Sequence, residues 1–427
     1  MVINQGKEVL IIADDYTGAC DTGAQFSRHG LSTAVITDPS KLDDALRKFQ
    51  VVSFNTETRN ASEREARRKV REVLKLTKKN GAEIGIMYKK IDSTIRGNIG
   101  AELDAILEEG SYSLCIVAPA FPAKGRTTLR GFQLVEGVPV DKTNFSKDPL
   151  SPVRESHVPT LISQQAKQRI GYVSLEVVRG GPGALADELK AREHQGERIV
   201  VLDAITQRDL ETIALASSSL KVRLLCGSAG LAAEIPYAFG LAKPKPALIV
   251  SGSLNPVSLK QIRHLKEQPR TEVLEVLFIG DLRRAEQKLL VKEGVEALRR
   301  NHHLIVTTTS SDGSLDGSGV APNSLDTERC KGRIITKYLG LIVEEILRHQ
   351  KPSGLILSGG ETAFQVLKAL GASALILDGE VETGIPIGKV LGGRYEGLKV
   401  IVKAGGFGRS ESLMEAARRL EEGDLMA

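Results

Sequence analysis

The chain has 427 residues, 41% hydrophobic and 26% charged, with no tryptophan and only 4% aromatics. This is the composition of a soluble globular protein of two or three domains, large enough to bury its cores without disulfide or metal staples. The formal net charge of +5 is small for this length. With so few aromatics it argues against a nucleic-acid surface built on base stacking and suits small anionic ligands.

The N-terminus, MVINQGKEVLIIADD, meets two acids after a short apolar run and is predicted to be a buried first strand, not a signal peptide. No stretch reaches the roughly 18 apolar residues of a membrane span. Cys20, Cys115, Cys226 and Cys330 are far apart and form no CxxC pair, which reads as reduced thiols in a cytoplasmic protein. Strands are predicted at Val9–Ala13, Thr33–Ile36, Val51–Asn55, Ile84–Lys89, Leu114–Ala118, Ile199–Asp203 and Val222–Cys226, with amphipathic stretches such as 63–80 and 100–108 between them. The segment YAFGLAKPKP at 237–246 breaks the pattern. A second series follows at Ala247–Ser251, Val273–Ile279, His303–Thr307, Gly354–Ser358, Ala374–Leu377 and Lys399–Lys403. Alternation of this kind predicts an α/β protein of two domains, 1–240 and 241–427, each a mostly parallel sheet flanked by helices, with an interdomain cleft. The polar, Gly- and Ser-rich stretch Thr309–Glu328 reads as a surface loop or a lid on the nucleotide side.

Chemistry is expected at the carboxyl ends of the strands, where open α/β sheets bind their ligands. After the first strand stand Asp14 and Asp15. They can accept substrate hydroxyls, hold a metal or take a proton, and one of them can instead cap the next helix. The run YKKIDSTIRGN places Lys89, Lys90, Asp92, Ser93 and Arg96 in one short segment, a mixture that suits a hydroxylated carboxylate. Arg59 follows a strand and a hydroxyl-rich turn and is a weaker candidate. The loop APAFPAKGRTTLRG, with Lys124, Arg126 and Arg130, either walls the pocket or is structural. LLCGSAGL at 224–231 lines the cleft or serves tight packing.

The second domain carries three glycine turns, each after an apolar strand: SGS at 251–253, SGGET at 358–362 and KAGGFG at 403–408. Glycine lets backbone amides approach an anion, and a helix N-terminus adds its positive end. No Walker A loop and no GxGxxG is present, which weakens a dehydrogenase reading.

In this order, ADDYTGACDTG, KKIDSTIRGNIGAEL, APAFPAKGRTT, LCGSAGL, LSGGET and KAGGFG resemble the four-carbon acid sugar kinase family across essentially the whole chain. The stretch ACDTGAQFSRHG is most like its D-threonate branch. The resemblance implies a sugar-acid domain at 1–240, a nucleotide domain at 241–427, and ATP with Mg2+. The acceptor would be a terminal hydroxyl of a threonate-, erythronate- or 3-oxo-tetronate-type acid. The substrate side then comprises Asp14, Asp15, Arg59, Lys89, Lys90, Asp92, Ser93 and Arg96, with Asp15 or Asp92 as the base. Arg59, with Lys89 or Lys90, would hold the carboxylate. The ATP side comprises Ser251, Ser253, Asn255, Gly359, Gly360, Glu361, Thr362, Gly405 and Gly406. Relatives commonly continue the first nucleotide turn with a Cys–Ser pair, where this chain has Leu254 and Asn255, so Asn255 would have to replace a serine contact. Closure of the domains would exclude water during transfer. The expected partners are the sugar acid and ATP, with a homo-oligomer left open and neither nucleic acid nor membrane. A non-catalytic two-domain sensor of sugar acids or nucleotides is the competing reading.

Overall fold

The computed structural model describes residues 8–79, 84–242, 246–253, 255–276, 284–308 and 325–421. The chain divides into two compact units, Met1–Lys243 and Pro244–Ala427.

The strands of the first unit's main sheet are β1 (Glu8–Ala13), β2 (Thr33–Ile36), β3 (Val51–Asn55), β4 (Ile84–Lys90), β5 (Cys115–Ala118), β6 (Ile170–Val173), β7 (Ile199–Leu202) and β8 (Leu224–Gly227). They lie in the order β2-β3-β1-β4-β8-β5-β7-β6, and every pairing is parallel. Parallel strands are covered on both faces, so they read as continuous apolar runs. In β1, Leu10 and Ile12 enter one core while Val9 and Ile11 enter the other. Helices α1 (Tyr16–Ser27), α2 (Glu63–Lys79) and α3 (Ile99–Glu109) follow β1, β3 and β4.

The strand order reverses at β1. From β1 the chain runs to β2 and β3 on one side, then crosses to β4 on the other. The crevice between β1 and β4 is therefore a topological switch point, the place where such sheets bind ligands. Register levels the strand ends there: Asn55, Ala13, Lys90, Gly227 and Ala118 form one row across β3, β1, β4, β8 and β5. Both expected loop clusters leave the sheet from this row.

The second unit repeats the plan with β9 (Leu248–Ser251), β10 (Thr271–Glu275), β11 (His303–Thr307), β12 (Leu355–Ser358), β13 (Ala374–Glu382), β14 (Ile385–Leu391) and β15 (Lys399–Lys403). The order is β10-β11-β9-β12-β15-β14-β13. The first five are parallel, and β14 and β13 close one side antiparallel. Here the switch point lies between β9 and β12, and Thr307, Ser251, Ser358 and Lys403 form the level row. Helices α4 (Pro256–Lys266) and α5 (Gly360–Ala369) start just beyond it.

Several elements differ from the sequence reading. The stiff loop expected after β5 contains a hairpin, Arg126–Leu129 with Phe132–Val135. Strands β6 and β14 had no counterpart in it, and β13 runs on to Glu382. Of the strand expected at Val273–Ile279, residues 277–279 lie outside the described residues. So does Thr309–Glu328, except that its last four residues open the helix Leu325–His349. Among the described residues no helix is long and apolar enough to cross a membrane, and Cys20, Cys115 and Cys226 are free thiols.

Candidate functional site

At the first switch point Asp14 follows β1, and Asp15 caps α1 by accepting from the Gly18 amide at 3.0 Å. The two readings of this pair, helix cap and site residue, meet in one place. Arg59, two residues beyond a turn that returns to β1, donates through Nε and Nη2 to Asp14 at 2.8 and 3.0 Å. Through Nη1 and Nη2 it donates to Asp15 at 2.9 and 2.7 Å. Four of its five N–H groups are thus committed. Burial works against the Arg59 charge, but Asp14, Asp92 and Asp15 together hold it more firmly protonated than a free arginine. A bidentate grip of Arg59 on a substrate carboxylate is incompatible with this clamp; one Nη1 N–H is left for a ligand.

The two lysines separate. Adjacent residues of a strand face opposite sides of the sheet. Lys90 points toward α1, where a Cβ added to Gly18 would lie 2.7 Å from Nζ. Lys89 points toward α3 and is fully buried, with Nζ 3.1 Å from Glu102, 3.3 Å from the Ile12 carbonyl and 3.0 Å from the Lys90 carbonyl. Its three N–H groups are all used inside the protein. The expectation that Lys89 binds substrate is corrected on this ground. Lys90 is also buried, yet its ammonium has no hydrogen bond or ion pair among the described residues. Burial lowers its pKa against the combined pull of Asp14, Asp92 and Asp15.

Asp92 opens the loop after β4. Its Oδ2 accepts from Thr94 Oγ1 and, at 2.6 Å, from Arg96 Nε. Its Oδ1 has no partner among the described residues. Arg96 also donates to Asp148 at 2.9 Å and lies 5.4 Å from the Phe145 ring centre. Arg96 therefore braces the loop, with its guanidinium committed to Asp92 and Asp148. Ile95 sits at φ 56°, a strained conformation for a β-branched residue, and its side chain is buried in the core. Gly97 closes the loop against Asp14 and Arg59: a Cβ there would lie 3.3 Å from Asp14 Oδ2. The Ser93 carbonyl accepts from Gln133 on the hairpin at 2.7 Å, so the hairpin backs this loop.

Burial raises the pKa of Asp92, but Arg96, Arg59 and Thr94 outweigh it and bring it down from 3.8 to about 2. A folded pKa below the unfolded value adds stability above about pH 4 that is lost as pH falls toward 2. At about 1.4 kcal/mol per pKa unit the contribution is about 2 kcal/mol. Urea unfolding of Asp92→Asn and the parent should differ by that amount at pH 5 and converge as pH drops from 4 toward 2.

The 224–231 turn is a packing device. The Ser228 hydroxyl donates to the Ala120 carbonyl at 2.7 Å, and a Cβ on Gly227 would meet the Ala118 carbonyl at 2.5 Å.

In the second unit the three glycine turns leave neighbouring strands β9, β12 and β15 and converge. The Gly359 amide donates to the Lys403 carbonyl at 2.7 Å. A Cβ on Gly405 would lie 2.5 Å from Ser253 Oγ, and one on Gly252 3.0 Å from Thr362 Oγ1. Gly359, at φ 103°, precedes α5, and a Cβ on Gly360 would meet nothing within 4 Å. The first-turn amides of α5, at Gly360, Glu361 and Thr362, have no intrahelical acceptor. Asn255 caps α4 by accepting from the Val257 amide at 2.9 Å, while its Nδ2 lies 3.4 Å from a Cβ built on Gly406. Its amide thus faces the 405–406 turn. Ser251, the last residue of β9, is buried, and its hydroxyl has no hydrogen-bond partner among the described residues. Lys403, the first residue of the KAGGFG turn, donates to the carbonyls of Ala404, Gly405 and Phe407 at 2.9, 3.3 and 2.9 Å. Burial lowers its pKa to about 8. The Phe407 amide donates to the Ala404 carbonyl at 3.1 Å, while the Gly405 and Gly406 amides have no acceptor among the described residues. Glu361 accepts from Gln365 on Oε1 at 2.9 Å and pairs with Arg333 through the same oxygen at 3.8 Å, which leaves Oε2 without a partner among the described residues.

Residues 9–235 match the family model of a sugar-binding N-terminal domain, and residues 248–413 that of a nucleotide-binding C-terminal domain. The chain is 34% identical to a D-threonate kinase of Salmonella typhimurium, covering 97% of this chain and 99% of that one. It is 33% identical to a D-erythronate kinase of Heliobacterium modesticaldum, covering 95% of each. Among solved structures it is similar to a Bordetella bronchiseptica protein with a domain of unknown function, a domain-swapped dimer with bound citrate. That likeness has a TM-score of 0.59, 30% identity, and coverage of 97% of this chain and 98% of that one.

Proposed function

We propose that this chain, which belongs to the four-carbon acid sugar kinase family and is a carbohydrate-acid kinase, transfers the γ-phosphoryl group of ATP to the terminal hydroxyl of a four-carbon sugar acid. One observation carries the reading: an unpartnered, buried Lys90 ammonium shares a strand end with the open Oδ1 of Asp92. The cation suits a carboxylate, and the oxygen suits a hydroxyl at the other end of a short acid. The Bordetella relative's bound citrate, itself a hydroxy-carboxylate, agrees with this choice.

In this reading Lys90 and the remaining N–H of Arg59 hold the carboxylate, Asp14 and Asp15 keep Arg59 in place, and Asp92 orients the acceptor hydroxyl. Asp15 is the poorer base, because both its oxygens already accept from Arg59 and one also caps α1. Phosphoryl transfer depends on positioning and charge neutralisation, and the hydroxyl proton leaves late. A carboxylate with a pKa of about 2 is suited to that orienting task.

The amides of Gly360, Glu361 and Thr362 and the turns at Ser253 and Gly405–Gly406 hold the nucleotide phosphates, and Asn255 lends its Nδ2. Mg2+ fits this side because it travels on the phosphates and needs one or two protein carboxylates; Glu361 Oε2 is the one on offer. Bound there, the ion would neutralise charge developing on the phosphates. Replacing Gly359 by Ala puts a side chain at φ 103°, a strain of about 1–3 kcal/mol relieved by turning the first α5 amides. The KM for ATP should rise at least tenfold while the KM for the acid stays within twofold.

The deciding assay follows ADP release with both enantiomers of threonate and erythronate and with 3-oxo-tetronates. Turnover with at least one acid, and none with the matching tetritols, is expected. Binding of an acid with no turnover of any would make the protein a sensor. A homo-oligomer belongs to the same reading, given the relative's dimer, and sedimentation would test it.

A further inference from the structure

Lys89 and Glu102 form an ion pair at 0 and 1% exposure beneath the first switch point. Replacing such a pair with apolar residues of similar size is often neutral or stabilising, so stability alone is a poor account of it. What the pair touches is more telling. Lys89 donates to the carbonyls of Ile12 and Lys90, which precede Asp14 and Asp92 on β1 and β4. Glu102 accepts from Thr58 Oγ1, whose residue precedes Arg59. Thr58 Oγ1 lies 2.7 Å from Thr56 Oγ1, which donates to the Ala13 carbonyl at 2.8 Å. The Thr58 and Arg59 amides both donate to the Asp14 carbonyl, at 2.9 and 3.1 Å. One buried network thus joins the ends of β1, β3 and β4, the three segments that carry Asp14 and Asp15, Arg59, and Asp92.

We propose that Lys89 and Glu102 are a positioning pair that fixes the spacing of these three strand ends, and so the placement of the remaining Arg59 N–H relative to Lys90 and Asp92, which share one strand end. Neither residue touches the substrate. A misplacement of about 1 Å can cost 100-fold in rate, which is enough to select for a costly buried pair. As a statement about turnover the proposal rests on the kinase reading above; as a statement about strand ends it does not.

The test replaces both charges together, Lys89→Met with Glu102→Leu, so that no lone charge is left buried. Turnover should fall at least tenfold with the KM for ATP unchanged. Amide hydrogen exchange should rise at least tenfold at 13–18, 56–61 and 90–97 and nowhere else, while the thermal midpoint stays within a few degrees of the parent. Parental turnover and parental exchange in those loops would overturn the proposal, whatever the midpoint does. Should the double variant fail to fold, Glu102→Gln is read by the same two measurements, with at least threefold effects expected and parental values again overturning the idea. If the parent phosphorylates none of the acids, the kinase reading fails and loop exchange alone decides the role of the pair.

Discussion

Asp92→Asn is expected to lower turnover by about 100- to 10,000-fold, the range typical of losing a positioned acid–base group. Nucleotide binding should be intact, because the glycine turns proposed to hold the phosphates belong to the other compact unit. The substitution keeps the shape of the side chain, so Thr94 and Arg96 retain a partner, while the charge facing the hydroxyl is lost. Arg96, Arg59 and Thr94 hold the Asp92 pKa at about 2 despite its burial. The carboxylate is ionised throughout the neutral range, so the parent's rate should show no acid limb from Asp92 between pH 5 and 8. ADP release and titration with a fluorescent ATP analogue check both halves. A variant that turns over within tenfold of the parent would remove Asp92 from the role and return it to Asp15.

The row of strand ends was legible because parallel strands are buried on both faces and print as unbroken apolar runs. EVLIIA and LIVS needed no context. The elements that escaped lack that signature. β6 is a short edge strand with every second residue half-exposed. β14 contains Pro386 and Gly388, which speak against a strand. β13 continues through the exposed DGEVE because β14 supplies its hydrogen bonds, not because it is buried.

The site was legible as a set of loops and not as a set of partners. KKID announces charge at a strand end, and strand periodicity puts Lys89 and Lys90 on opposite faces. Which face carries the site depends on what each meets, Gly18 of α1 or Glu102 of α3, and that is tertiary. Glu102 did leave a signal: an acid on the face shared by the buried Ile99, Leu103 and Ile106 has to be paired. Asp148 left none, since it reaches Arg96 from a distant loop. Lys403 stood in plain view before AGGFG, but only the coordinates show its ammonium holding the turn's carbonyls.

Lys90→Met should separate function from stability. A hydrogen bond to a charged group is worth about 1.5–3 kcal/mol, with more at stake when the partner is left buried. At 1.4 kcal/mol per decade the KM for the sugar acid should rise by roughly 10- to 100-fold or more, with the KM for ATP unchanged. The preference for the acid over its tetritol should shrink with it. Stability should move the other way. Burial lowers the Lys90 pKa even with Asp14, Asp92 and Asp15 nearby. A lysine with a depressed folded pKa costs stability at every pH where it is still charged. Methionine has a similar length and carries no charge, so the denaturation midpoint at pH 7 should hold or rise. A residue that weakens the empty protein and strengthens the complex is kept for its ligand. A variant that loses stability and acid binding together would show instead that Lys90 serves the fold by neutralising the three aspartates, and the carboxylate would have to be sought elsewhere.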